Sequence, residues 1–166
     1  MEKTRRRIVT KIGDVFCIEI DGQYKCYFQY IANDFTQLNS SVIRVFKEKY
    51  PINYIPDIDT IIKDNVSFYA HTILKIGIVD NIWCKVGKSN TIGDVSNIYF
   101  RNTDDEFMNP IPKISYNWFV WRIGEEFVTV GQLNDDSRKY ELGTVFHYSQ
   151  IVKRIRTGNY SLPFPD

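Results

Sequence analysis

The chain has 166 residues and a mass of 19.6 kDa, the size of one ordinary domain. Hydrophobic residues make up 43% and charged residues 25%, and with 11 Tyr, 11 Phe and 3 Trp the chain is neither disordered nor collagen-like. Lys and Arg number 21 against 20 Asp and Glu, so no global field draws it to nucleic acid or to an anionic membrane, and such a partner needs a local patch.

Residues 1–10 read as a basic N-terminal arm. Met-Glu-Lys-Thr-Arg-Arg-Arg has the positive start of a signal peptide, but Thr10, Lys11 and Asp14 break the short Ile-Val run after it, so no apolar leader core is present. Nowhere do about 18 apolar residues run together. These features predict a cytoplasmic protein with no membrane partner. Arg5, Arg6 and Arg7 read as a solvated arm in preference to a phosphate contact.

Val15 to Ile31 reads as a hairpin around Asp21-Gly22, a dipeptide that suits a type I′ turn. A two-residue loop pairs Ile20 with Gln23, Glu19 with Tyr24, Ile18 with Lys25 and Cys17 with Cys26. It places Phe16, Ile18 and Ile20 on one face and Val15, Cys17, Tyr24 and Phe28 on the other. Apolar residues on both faces demand cover on both sides. Cys17 and Cys26 are then within disulfide reach: a reducing cytosol predicts free thiols, and mild oxidation is expected to link these two and leave Cys84 unpaired.

Further strands are expected at Ser41 to Lys47, Phe68 to Ile76, Ile82 to Val86 and Ile98 to Arg101. Asp57 is placed to cap a short helix with Ile58, Ile61 and Ile62 on one face. A second hairpin runs from Trp118 to Ile123 through Gly124-Glu125 into Phe127 to Val130, with Gly at the first position of a type II′ turn. It puts Phe119, Trp121 and Ile123 on one face and Trp118 and Val120 on the other. Thr144 to His147 adds a last strand, 149–157 fits either helix or strand, and 159–166 is a C-terminal tail. The fold class is mainly β: one domain over 1–166 of curled antiparallel sheet, a partly open barrel or a sandwich, with one or two short helices.

Chemistry-bearing patterns are sparse. His71 and His147 have no Cys or carboxylate at metal-ligand spacing, and no CxxC or HExxH occurs. A Cys84–His71 nucleophile pair has no orienting acid signalled beside it. Gly87-Lys88-Ser89 resembles the end of a phosphate loop, but Ile82 stands where the upstream glycine belongs. Tyr24, Lys25, Tyr27 and Tyr30 offer a stacking platform for single strands, which makes a small nucleic-acid-binding barrel the alternative function. Asp57, Asp59, Asp104, Asp105, Glu106, Asp135 and Asp136 are ordinary solvated loop residues, yet an acidic surface is also what an inhibitor of a basic nuclease presents. Asp104, Asp105, Glu106, Asp135 and Asp136 are the candidate partner contacts. No cofactor, metal or small-molecule substrate is expected.

Lys11-Ile12-Gly13-Asp14-Val15-Phe16-Cys17-Ile18-Glu19-Ile20-Asp21-Gly22-Gln23-Tyr24, followed by Phe28-Gln29-Tyr30, resembles the opening of the immunity protein 26 family of bacterial polymorphic toxin systems. That opening is a Gly-Asp-hydrophobic-Phe strand, a turn and an aromatic-bearing second strand, and the resemblance covers the first 30 or so residues. It implies a cytoplasmic, non-catalytic protein that binds and neutralises a cognate toxin domain. No functional residues transfer with it.

Overall fold

The computed structural model describes residues 7–166. Arg5 and Arg6 of the expected basic arm lie outside them, while Arg7 is exposed and the chain from it to Lys11 has no regular structure. β1 (Asp14–Ile20) and β2 (Tyr24–Asp34) form the expected hairpin. Asp21 and Gly22 hold φ of 54° and 64°, and the Gln23 N–H donates to the Ile20 carbonyl at 2.9 Å, as an Asp-Gly turn requires. The ladder, however, starts one residue later than a two-residue loop implies. Ile20 faces Tyr24, Ile18 faces Cys26 and Cys17 faces Tyr27. Gln23 belongs to the loop, and one added residue turns every β2 side chain to the other face. Cys17 and Cys26 therefore lie on opposite faces, and Tyr24 and Phe28 join Phe16, Ile18 and Ile20 in one cluster.

Around this hairpin β3 (Ser40–Phe46) pairs with β2, and β4 (Tyr50–Pro51) meets the start of β2. β5 (Val66–Thr72) pairs with β3, and β6 (Trp83–Lys88) pairs with β1. The second sheet holds β7 (Tyr99–Asn102), β8 (Trp118–Arg122), β9 (Val128–Gly131) and β10 (Glu141–Leu142), in the order β10-β7-β8-β9. β11 (Val145–Phe146) returns to the first sheet and runs parallel to β5, as β10 runs parallel to β7. Neither sheet closes into a barrel.

Three short helices are present among the described residues: α1 (Ile58–Ile61), α2 (Leu74–Val79) and α3 (Tyr148–Thr157). α2 replaces the end of the strand expected to reach Ile76, because Leu74 and Ile78, four apart on one helical face, both reach the core. Residues 149–157 are helical. The His147 ring and the Gln150 side chain cap the start of α3 reciprocally, and Gly158 ends it at φ 91°, the left-handed conformation a helix stop favours. Asp57 does begin α1, but its carboxylate accepts from the Thr60 hydroxyl at 2.8 Å and from no backbone N–H. In the second hairpin the Glu125 N–H donates to the Arg122 carbonyl at 3.0 Å. The turn is thus centred on Ile123-Gly124, one residue earlier than expected.

One face of the large sheet carries Phe16, Ile18, Phe28, Ile43, Val45 and Phe68 and is covered by α2 and α3 through Leu74 and Ile151. The other face is divided. Val15, Cys17, Tyr27 and Phe46 pack under Ile61 of α1, while Ile31, Ala32 and Val42 pack against Phe100 and Trp121 of the small sheet. Between them lies a buried polar pair, Gln29 opposite Arg44. Arg44 Nε donates to Gln29 Oε1 at 2.9 Å and a terminal guanidinium nitrogen to the Thr91 carbonyl at 2.9 Å, while Gln29 Nε2 donates to the Ser89 and Gly13 carbonyls. Ser89, the last residue of the Gly-Lys-Ser segment, and Thr91 beyond it thus supply carbonyl acceptors to this pair.

The Gly13-Asp14 start of β1 has its own reason. Gly13 sits at φ 99°, and a Cβ there would run into the Ser89 carbonyl. The buried Asp14 carboxylate accepts from the Lys11 N–H at 2.8 Å and meets the Lys85 ammonium at 2.8 Å. Space selects two other glycines: the Trp83 ring lies against Gly77 and the Trp121 ring against Gly143, so closely that a Cβ at either would collide with the indole.

Trp118 and Trp121 are both buried. Trp118→Ala and Trp121→Ala should each lower stability by about 3–5 kcal/mol, read as a fall in the urea midpoint. Cys17 lies directly opposite Cys84 across β1 and β6, a pairing whose Cα separation of roughly 4.5–5.5 Å suits a disulfide. Burial pushes the Cys17 thiol up, leaving the exposed Cys84 sulfur as the one an oxidant reaches first. Diamide treatment followed by proteolysis and mass mapping should link Cys17 to Cys84 and leave Cys26 free.

Candidate functional site

Where β2 ends, Asp34 is fully buried and gathers donors from three segments. Its Oδ2 accepts from His71 Nε2 on β5 and from Trp121 Nε1 on β8, each at 2.9 Å, and its Oδ1 accepts from the Gly124 N–H at 3.0 Å. Burial alone would raise this carboxyl; the bonds from His71, Gly124 and Trp121 outweigh it and hold Asp34 below its ordinary 3.8. The His71 ring lies 4.2 Å, centroid to centroid, from that of Phe100. The β2–β3 connection is tied to the same hairpin, with the Thr36 hydroxyl donating to the Gly124 carbonyl at 2.8 Å.

This anchoring fixes the walls of a cleft of about 680 Å³ between the β2–β3 connection and one face of the small sheet. Phe119, Trp121, Phe127 and Thr129 form one side, Gln37 and Leu38 another, and Asp104, Asp105 and Asn117 a third. Its volume lies within the range of ligand and anchor pockets, roughly 300–1,000 Å³. Leu38 is 41% exposed at φ 55°, a conformation that costs a branched side chain about 1–2 kcal/mol. Exposed Phe35 and Phe107 each stand two residues from a cleft residue in sequence, Phe107 closing the 3-10 turn Asp104–Phe107.

The five acidic candidates divide between two places. Asp105 is buried and accepts from the Ser115 hydroxyl at 2.7 Å and from Asn117 Nδ2 at 3.1 and 3.2 Å. The single Ser115 O–H is directed at Asp105, so the Thr103 hydroxyl, 2.9 Å away, donates to the Ser115 oxygen. Asp105 therefore holds the wall of the cleft in place, and Asp104 is the exposed carboxylate of its rim. Burial pushes the half-buried Glu106 carboxyl up, with Asn102 opposing and Asp104 adding to the rise. Asp135 and Asp136 are exposed elsewhere, 3.7 Å from Arg138 and 3.9 Å from Lys139 respectively.

Other sequence candidates are dispersed. His71 is buried on β5 and Cys84 is exposed on β6, with β3, β2 and β1 between them, so the imagined nucleophile pair is not assembled. Tyr27 and Tyr30 are both buried, on opposite faces of β2, and Tyr24 lies under the Lys49 ammonium at 4.6 Å. The expected stacking platform does not form. Among the described residues no helix is long and apolar enough to cross a membrane. Sequence reading missed Asp34, which follows Asn33 and looks like a turn residue; the signal was Trp121, whose buried indole N–H needs an acceptor. No protein-family model, no curated protein and no solved structure matches the chain.

Asp34→Asn removes acceptor capacity from a site with three donors and should cost about 3 kcal/mol. Because the native carboxyl titrates below 3.8, its stabilisation is complete above that value and is lost as pH falls through the lower folded one. Urea denaturation across acidic pH should therefore show a flatter acid limb in Asp34→Asn than in the parent.

Proposed function

We propose that this chain is a non-catalytic immunity protein that binds and neutralises a cognate bacterial toxin domain through the cleft of the small sheet. One observation carries the reading: Leu38 is held exposed in the left-handed region at the mouth of an aromatic cleft with Asp104 on its rim. Backbone strain of this kind persists where the surroundings over-determine it, and it clusters at binding sites. The resemblance of Lys11 to Tyr30 to the immunity protein family supports a toxin as the partner. An aromatic floor beneath a carboxylate rim suits a cationic or aromatic anchor side chain on a basic toxin surface, surrounded by roughly 800 Å² of contact per partner.

A toxin domain found encoded beside this gene would be the partner to test, by copurification and calorimetry. A stable complex is expected, weakened about 10–100-fold by Asp104→Lys or Phe127→Ala. Leu38→Gly separates function from folding: it should raise the urea midpoint, by about 1 kcal/mol in stability, while weakening the complex. Absence of a complex, or an unchanged affinity in all three variants, overturns the reading.

A further inference from the structure

A second cavity, of about 470 Å³, lies between β10, the 3-10 turn Ser137–Lys139 and the segment after α3. Its lining holds four cations, Arg101, Arg138, Lys139 and Arg154, and a single carboxylate, Glu141. Glu141 is already engaged by Arg154, at 2.5 and 3.1 Å, and Arg138 by Asp166 at 3.0 Å. Lys139 is exposed, 3.9 Å from Asp136.

Arg101 differs from these. Its Nε donates to the Tyr140 carbonyl at 3.1 Å and its guanidinium stacks 4.8 Å above the Trp118 ring. No carboxylate lies within ion-pair distance of it among the described residues. Its charge is half-buried, and burial pushes the guanidinium down, against Asp166 and Glu141. The fork beyond Nε is free to hold a planar or tetrahedral oxyanion. A second group calls for the same chemistry. Tyr160 is 6% exposed and lines the cavity; the Arg154 guanidinium beside it can only donate to its oxygen, so its buried hydroxyl hydrogen has no acceptor. An unpaired buried donor is costly and rare. Both unsatisfied groups are donors, so a fitting ligand is rich in acceptors and negatively charged.

We propose that this cavity binds a small phosphate-bearing molecule, its phosphoryl group held by Arg101 and Lys139 and by the Tyr160 hydroxyl. Phosphate fits better than a lone carboxylate because several cations face one cavity, and the Tyr140 and Phe164 rings offer a wall for an aromatic group beside the anion. The proposal stands apart from the toxin-binding reading, since the cleft and this cavity share no lining residue.

Calorimetry of the full chain at low ionic strength, with inorganic phosphate, pyrophosphate and adenosine 5′-monophosphate as probes, tests it. Saturable binding of at least one probe is expected, weakened about 10–100-fold by Arg101→Gln and by Lys139→Gln and reduced by Tyr160→Phe. Leu38→Gly should leave it unchanged. Arg101 packs on Trp118, so its variant is checked by thermal melting, and exposed Lys139 supplies a substitution that folding tolerates. No saturable binding of any probe at millimolar concentration overturns the proposal, as does binding that Lys139→Gln and Arg101→Gln leave unchanged. Equal binding of acetate also overturns it. A single-stranded oligonucleotide that binds more tightly than the mononucleotide, with affinity falling steeply with salt, overturns the small-molecule assignment in favour of a strand.

Discussion

The carboxylate of Asp34 accepts from His71, Trp121 and the Gly124 N–H, and through these bonds the two sheets hold one position relative to each other. Apolar contact between Ile31, Val42, Phe100 and Trp121 supplies non-directional attraction, which tolerates sliding. Three hydrogen bonds to one buried anion do not. They fix the height at which Trp121 meets β5 and the point at which the second hairpin turns. The cleft depends on that choice, because its aromatic side is the same β8 face and its opposite wall is fastened to Gly124 by Thr36.

A second buried polar group divides the large sheet. Arg44 and Gln29 occupy the seam between the α1 cluster and the small sheet, and backbone carbonyls of Gly13, Ser89 and Thr91 satisfy them. That seam explains Gly13-Asp14, the most conspicuous part of the opening motif. Gly13 lets the β1 backbone approach Ser89, and Asp14 secures the preceding turn and Lys85. Gly13 and Asp14 are folding residues here.

Much of the architecture was legible from local pattern. The hairpins at Asp21-Gly22 and Gly124, the strand-rich class and the burial of Trp118 and Trp121 follow from turn chemistry and alternation. Register was not legible to the last residue. Gln23 joins the loop although the turn itself is of the expected kind, and no local preference distinguishes the two registers. Leu74 to Ile76 reads as the end of a strand by residue type but is helical because Leu74 and Ile78 fill the space beside Trp83, a tertiary demand. The acidic candidates show the same limit: Asp104 and Asp105 are adjacent in sequence, yet one is exposed and the other buried by Ser115 and Asn117. Nothing in the dipeptide says which.

The two tryptophan–glycine contacts constrain how such a sequence can change. Trp83 occupies the space that a side chain at position 77 would need, and Trp121 does the same at position 143. Neither member of a pair can vary alone without a collision or a void. Substitutions there must travel together, and the intermediate with only one of them is the less stable protein. Gly143 also lies where the chain passes from β10 in the small sheet to β11 in the large one. Among diverging descendants of this chain, positions 121 and 143 should therefore covary, marking the crossing between the sheets more durably than the strand residues around it.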